Sequence, residues 1–126
     1  MELVRGMKSF SVLFVEDEST VRGVVVQMLM AKGFRVFAAA DAYDAIRILA
    51  AHHIDLLFTD IVMPGMDGVQ LAKQAKTMRP GIKLLFTTGY AQRAAERDAM
   101  HHGRLVFKPV RQAELMREVE ALLATP

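Results

Sequence analysis

The stretch Ile54-Asp55-Leu56-Leu57-Phe58-Thr59-Asp60 is an apolar run that stops on a carboxylate, and the turn-forming segment Met63-Pro64-Gly65-Met66-Asp67-Gly68 follows closely. A short, nearly continuous apolar run bounded by turn residues reads as a strand buried on both faces. Asp60 then stands at the carboxyl end of that strand, on the edge where open α/β sheets place their ligand sites. A second run, Phe10-Ser11-Val12-Leu13-Phe14-Val15, leads in the same way to Glu16-Asp17. Two acidic rims in one small chain point to a divalent cation and a phosphate-like group.

Outward from these two runs, the apolar pattern alternates between strand and helix periods. Ser19-Thr20 can cap a helix carrying Val21, Val24, Val25, Met28 and Leu29 at i, i+3, i+4, i+7 and i+8. Gly33 follows it, where a left-handed residue usually closes a helix. Phe34-Arg35-Val36-Phe37-Ala38 reads as a short strand. Asp41 can cap a second helix through Ala45, Ile46, Ile48 and Leu49, and a third runs through Val69, Leu71, Ala72, Ala75 and Met78 to end before Pro80-Gly81. Ile82 to Thr87 and Arg104 to Phe107 read as the last two strands. Between them, a helix from Ala91 to about Met100 has an apolar face made mostly of alanine, so loose packing is expected. Leu115, Val119, Leu122 and Leu123 mark a final helix. Alternating segments of this kind imply right-handed crossovers and one doubly wound, five-stranded parallel sheet with helices on both faces.

The bulk properties narrow the function. A chain of 126 residues, 52% hydrophobic and 24% charged, has the composition of a single soluble globular domain. It has no cysteine, which excludes disulfides and thiolate metal sites. The apolar runs are far shorter than the roughly 20 residues a membrane span needs. Residues 1–8 are too short and too polar for a secretory signal, and a cytoplasmic location is expected. A net charge of +2 is no argument for nucleic acid. Met7 leaves open a second start after Met1.

At the carboxyl edge of the expected sheet arrive Glu16 and Asp17 after the first strand, Asp60 after the third, Thr87 after the fourth and Lys108 after the fifth. Singly, each has a plain structural reading: a cap, a solvated turn, a strand-end threonine, a surface lysine. Together they bring three acids, a hydroxyl and an ammonium into one crevice. Carboxylates this close repel unless a cation neutralises them, and hard oxygen ligands without cysteine or histidine suit Mg²⁺, with Mn²⁺ as an alternative. The pairs His52-His53 and His101-His102 lack further ligands at useful spacing and read as solvated helix ends.

The segments Val12-Leu13-Phe14-Val15-Glu16-Asp17-Glu18, Leu57 to Gly68, Leu85-Phe86-Thr87-Thr88-Gly89-Tyr90 and Phe107-Lys108-Pro109 resemble those of a response-regulator receiver domain of two-component signalling. The resemblance covers about residues 9–126 and leaves 1–8 as a short extension. It implies the flavodoxin-like receiver fold, with Asp60 as phosphoacceptor from the phosphohistidine of a sensor histidine kinase or a histidine phosphotransfer protein. It further implies Asp17 as a direct Mg²⁺ ligand, Glu16 as a ligand mainly through water, and the backbone carbonyl of Val62 as another. Thr87 and Lys108 would each contact a phosphoryl oxygen. The product would be a switch that changes partner binding, not a turnover enzyme, acting as a monomer or weak dimer without binding nucleic acid or membrane.

Two positions depart from the usual pattern. Glu16 stands where an aspartate is commoner. Leu105 replaces the aromatic residue whose ring swings on activation. Val62 and Gly89 offer no general base, so no side-chain base for dephosphorylation is expected. The output surface is expected on the fourth helix, fifth strand and fifth helix, with Arg93, Arg97, Arg104, Arg111 and Arg117. The other readings are a flavodoxin-like small-molecule binder and an aspartyl-phosphate hydrolase. A phosphatase of the second kind would usually carry an acid where Val62 stands. No Gly-x-x-x-x-Gly-Lys-Ser/Thr loop, Gly-x-Gly-x-x-Gly turn or Gly-x-Ser-x-Gly elbow occurs.

Overall fold

In the computed structural model, which describes residues 10–89 and 93–125, the two apolar runs become neighbouring central strands. β1 (Ser11–Val15) and β3 (Leu56–Asp60) are buried along their whole length, as strands covered on both faces must be. β2 (Arg35–Ala39), β4 (Lys83–Thr88) and β5 (Arg104–Phe107) complete a five-stranded sheet of order β2-β1-β3-β4-β5, with every pair parallel. The order reverses between β1 and β3, and a crevice opens there beyond the strand ends.

Side-chain alternation along each strand divides the core into two layers. Leu13, Val15, Leu57, Leu84 and Phe86 face α2 (Ala42–Ala51), α3 (Gly68–Met78) and α4 (Arg93–Met100). Val12, Phe14, Leu56, Phe58 and Leu85 face α1 (Ser19–Ala31) and α5 (Gln112–Leu123). The rings of Phe14 and Phe58 meet at 4.7 Å between centroids, directly across the β1–β3 register. Each such side chain, fully removed from water, contributes about 1.5–3 kcal/mol, so the pair fixes the two strands that carry the acids.

Helix ends follow local chemistry with one exception. Gly33 has φ 93°, the left-handed conformation expected where it closes α1. Asp41 caps α2 by accepting from the Asp44 N–H at 2.8 Å. Asp41→Ala is therefore expected to cost about 1 kcal/mol, read as a lower denaturant midpoint at unchanged slope. Asp67 forms a capping box with Gln70 at the start of α3. Ser19-Thr20 do not cap α1: Ser19 already lies inside the helix, and Glu18 occupies the cap position without a side-chain bond. The Arg22 N–H donates to the Glu18 carbonyl at 2.9 Å, so the first helical hydrogen bond already starts at Glu18 and Ser19 falls inside the helix.

Strand ends shift by one or two residues from the sequence expectation, most clearly in β2, which begins at Arg35 rather than Phe34 and ends at Ala39. The start expected for α4 at Ala91 falls outside the described residues. Only Ala99 of α4 is buried, consistent with the loose packing expected of an alanine face. Among the described residues, no helix is long and apolar enough to cross a membrane.

Candidate functional site

The crevice is built by register. Asp60 lies beside Thr87 in the β3–β4 pairing, Thr87 beside Val106 in the β4–β5 pairing, and Lys108 follows one residue after β5. Glu16 and Asp17 leave β1 at the same edge, where the Glu16 N–H donates to the Ala39 carbonyl at 3.1 Å. Arg22, one turn into α1, donates to the Glu16 carbonyl at 2.8 Å and ties the acidic turn to its helix. All the expected site residues therefore arrive at one edge.

Lys108 joins them. Its Nζ lies 2.8 Å from Asp60 Oδ2 and 2.8 Å from Glu16 Oε1, spanning the third and first strands from the end of the fifth. Glu16 is 1% exposed and Asp60 4%, while Asp17 is open to solvent. Carboxylate oxygens of Glu16, Asp17 and Asp60 lie within 4.8 Å of one another, the sole such acidic or histidine group among the described residues. Burial pushes the Glu16 carboxyl above its ordinary value, against the pull of Lys108 and the Glu18 N–H, and the Asp60 charge adds to the rise. Burial works against the Lys108 ammonium, but Asp60 and Glu16 outweigh it and raise its pKa. Three acids and one ammonium leave the crevice with a negative excess.

Two buried oxygens have no directed hydrogen-bond partner: Thr87 Oγ1, which is fully buried, and Glu16 Oε1, whose contact with Lys108 lacks hydrogen-bond geometry. Leaving the Thr87 hydroxyl unpaired costs roughly 1–3 kcal/mol, whereas Glu16 Oε1 keeps its ion pair with Lys108. The clustered carboxylate oxygens of Glu16, Asp17 and Asp60 fit a hard divalent cation, and the Thr87 hydroxyl is free to donate. At Val62, the backbone N–H meets Asp60 Oδ1 at a long 3.4 Å, and the side chain is 42% exposed.

Several residues that shape the site have only faint sequence signals. Gly68 lies against the Asp60 backbone carbonyl, and its N–H donates to the Ile61 carbonyl at 2.8 Å. Gly89 leaves room for the Lys108 stem: a Cβ there would come within 3.3 Å of Lys108 Cδ. Arg22 could have been found only through its spacing from Glu16. Beside the crevice, an apolar groove of ≈ 420 Å³ runs between Val21, Val24 and Val25 of α1 and Pro109-Val110. The histidine pairs stay apart from the site: His52 stacks on Phe37 at 4.6 Å, and His53 contacts Asp55 at 2.8 Å.

The chain matches the response regulator receiver domain family over residues 12–120. It is 34% identical to the response regulator receiver protein CpdR of Brucella abortus over 114 residues, covering 89% of this chain and 95% of that one. It is also 34% identical over 119 residues to the sensor kinase CckA of the same organism, covering 91% of this chain but 13% of the kinase. A receiver domain structure from Methanospirillum hungatei superposes with a TM-score of 0.86 at 27% identity, covering 92% and 94% of the two chains.

The chain belongs to the response regulator receiver domain family. It is a phosphoacceptor domain of two-component signalling, a switch on the flavodoxin-like receiver fold. That membership goes against the flavin-binder and hydrolase readings.

Proposed function

We propose that Asp60 is the phosphoacceptor and that the crevice around it is the transfer site. The carboxylate attacks the phosphorus of a phosphohistidine on a sensor histidine kinase or a histidine phosphotransfer protein. The P–N bond breaks, the histidine leaves, and an acyl phosphate forms on Asp60. The observation carrying this reading is the juxtaposition of Asp60 Oδ2 with Lys108 Nζ at 2.8 Å, beside two further carboxylates. Phosphoryl transfer depends mainly on positioning and on neutralising charge at the equatorial oxygens. Lys108 supplies one counter-charge, and the unpartnered Thr87 hydroxyl donates to a phosphoryl oxygen once Asp60 is modified. Asp17, Asp60 and the Val62 carbonyl would hold Mg²⁺ (or Mn²⁺) directly and Glu16 through water; the bound metal neutralises the remaining phosphoryl charge.

The domain works as a switch without turnover of a separate substrate. Neither Val62 nor Gly89 provides a base to activate water, which favours a signal that outlasts the encounter with its donor. The receiver unit is taken as residues 9–126, with 1–8 as an extension, and its place is the cytoplasm. The apolar groove on α1 supports docking of the donor protein. A second groove of ≈ 440 Å³, with Met100, Leu105 and Phe107 between Glu96 and Glu118, supports output through the α4–β5–α5 face. There Arg104 is engaged by Glu118 at 2.5 Å.

Incubating the full chain with phosphoramidate and Mg²⁺ tests the reading. An acid-stable, base-labile phosphate, seen by intact mass and mapped to the Asp60 peptide, is the expected result. A bound flavin, or turnover of a small substrate, would contradict it.

A further inference from the structure

We propose that Arg22 is a positioning residue for the metal: by holding the Glu16 carbonyl, it sets the direction in which Asp17 presents its carboxylate. This rests on the reading of the crevice as a metal site. Asp17 is the exposed acid of the three, so its aim comes from the backbone that carries it. The peptide before it contains the Glu16 carbonyl, and a peptide unit turns as one plane. Arg22 Nη1 donates to that carbonyl at 2.8 Å. The peptide after it contains the Glu18 N–H, which donates to Glu16 Oε2 at 3.1 Å. Both peptide planes flanking Asp17 are therefore held, but by different kinds of group. Glu16 Oε2 belongs to one of the three clustered acids, whereas the guanidinium stands outside the cluster. Arg22 is itself anchored, because its own N–H donates to the Glu18 carbonyl at 2.9 Å at the start of α1. At the other end of the turn, the Glu16 N–H donates to the Ala39 carbonyl of β2.

The sign of the effect separates positioning from charge. A guanidinium acting only through its positive charge repels an incoming cation, so its removal would tighten metal binding. A guanidinium acting through its hydrogen bond preorganises Asp17, so its removal weakens metal binding. Loss of one such bond corresponds to about tenfold in an equilibrium constant. Arg22→Met should therefore bind Mg²⁺ about tenfold more weakly than the unaltered chain by isothermal titration calorimetry. Arg22→Lys, which keeps a donor and the charge, should recover most of that loss. With phosphoramidate as donor, Arg22→Met should need about tenfold more Mg²⁺ for half-maximal phosphorylation, yet approach the unaltered rate at saturating Mg²⁺. Unchanged or tighter binding in the Met variant, an equal loss in the Lys variant, or a rate that stays low at saturation overturns the proposal.

A second measurement needs no substitution at Arg22. In the unaltered chain, the Arg22 Nη protons should give resolved, slowly exchanging NMR signals both without Mg²⁺ and at saturation. Signals averaged by free rotation in either state overturn the proposal even where the variants fail to fold. The underlying metal reading is checked apart from this. It fails if the unaltered chain binds no Mg²⁺, or if Asp17→Asn binds as well as the unaltered chain.

Discussion

Asp60→Asn is expected to fold normally and to accept no phosphoryl group, with incorporation from phosphoramidate falling by at least about a hundredfold. The substitution keeps the shape of the side chain and keeps an acceptor at Oδ1, where the Val62 N–H already makes its long 3.4 Å contact. It removes the anionic oxygen facing Lys108, but the ammonium retains Glu16 at 2.8 Å and is not left unpaired. It also relieves the repulsion between Asp60 and Glu16. Stability should therefore change by no more than about 1 kcal/mol. Transfer cannot survive, because an amide oxygen is a far weaker nucleophile than a carboxylate, and loss of a nucleophile is among the largest single effects known in group transfer. Intact mass after incubation, with a denaturant melt on the same sample, checks both halves. Undiminished phosphorylation would move the acceptor elsewhere.

Gly68→Ala is expected to be the most damaging small substitution near the site. A Cβ at residue 68 would lie 2.0 Å from the Asp60 carbonyl oxygen and 2.9 Å from its carbon, both backbone atoms with no room to yield. Overpacking of a tight interior costs roughly 1–3 kcal/mol and occasionally more, and a contact this short places Gly68→Ala at about 3 kcal/mol or above. Gly103→Ala is the natural control. Its Cβ would meet the Leu84 carbonyl oxygen at 2.1 Å, an equal clash on β4, away from the acids. Both variants should show a lower urea midpoint. Only Gly68→Ala should also slow phosphorylation under conditions where the protein remains folded, because relief of its clash must move the backbone of Asp60. Equal phosphorylation rates in the two variants would show that Asp60 is not held by this contact.

These two glycines also mark a boundary in what could be read from the chain. Glycine in a turn after Asp67 or after His101-His102 has a sufficient local explanation, and nothing in the sequence says that a distant carbonyl lies against it. Gly33 differs: its role is local, a left-handed residue at a helix end, and the sequence placed it correctly. The same contrast holds at the helix starts. Asp41 caps α2 through a contact three residues away, within reach of a local rule. Ser19 does not cap α1, because the first helical bond already runs from the Arg22 N–H to the Glu18 carbonyl, next to a turn whose buried Glu16 is placed by the sheet.

The crevice divides in the same way. Glu16-Asp17 and Asp60 were legible because an acid that terminates an apolar strand has few places to go in a parallel sheet. Thr87 and Lys108 were legible because successive strands of such a sheet end on one edge. What no periodicity could give was the pairing inside the crevice: that Lys108 would bridge Asp60 and Glu16, that Glu16 would be buried and Asp17 exposed, and that Thr87 Oγ1 would be left without a partner.

The sequence by itself therefore determined the strand and helix order, the parallel sheet and the five side chains at its edge. Those follow from burial and local backbone preference, which act over neighbouring residues and leave a periodic trace. Only the tertiary structure decided which charges pair, which oxygens stay unsatisfied and where a glycine is required. Those depend on distances between segments as far apart as Glu16 and Lys108, fixed only when the β1–β3–β4–β5 register brings their ends together.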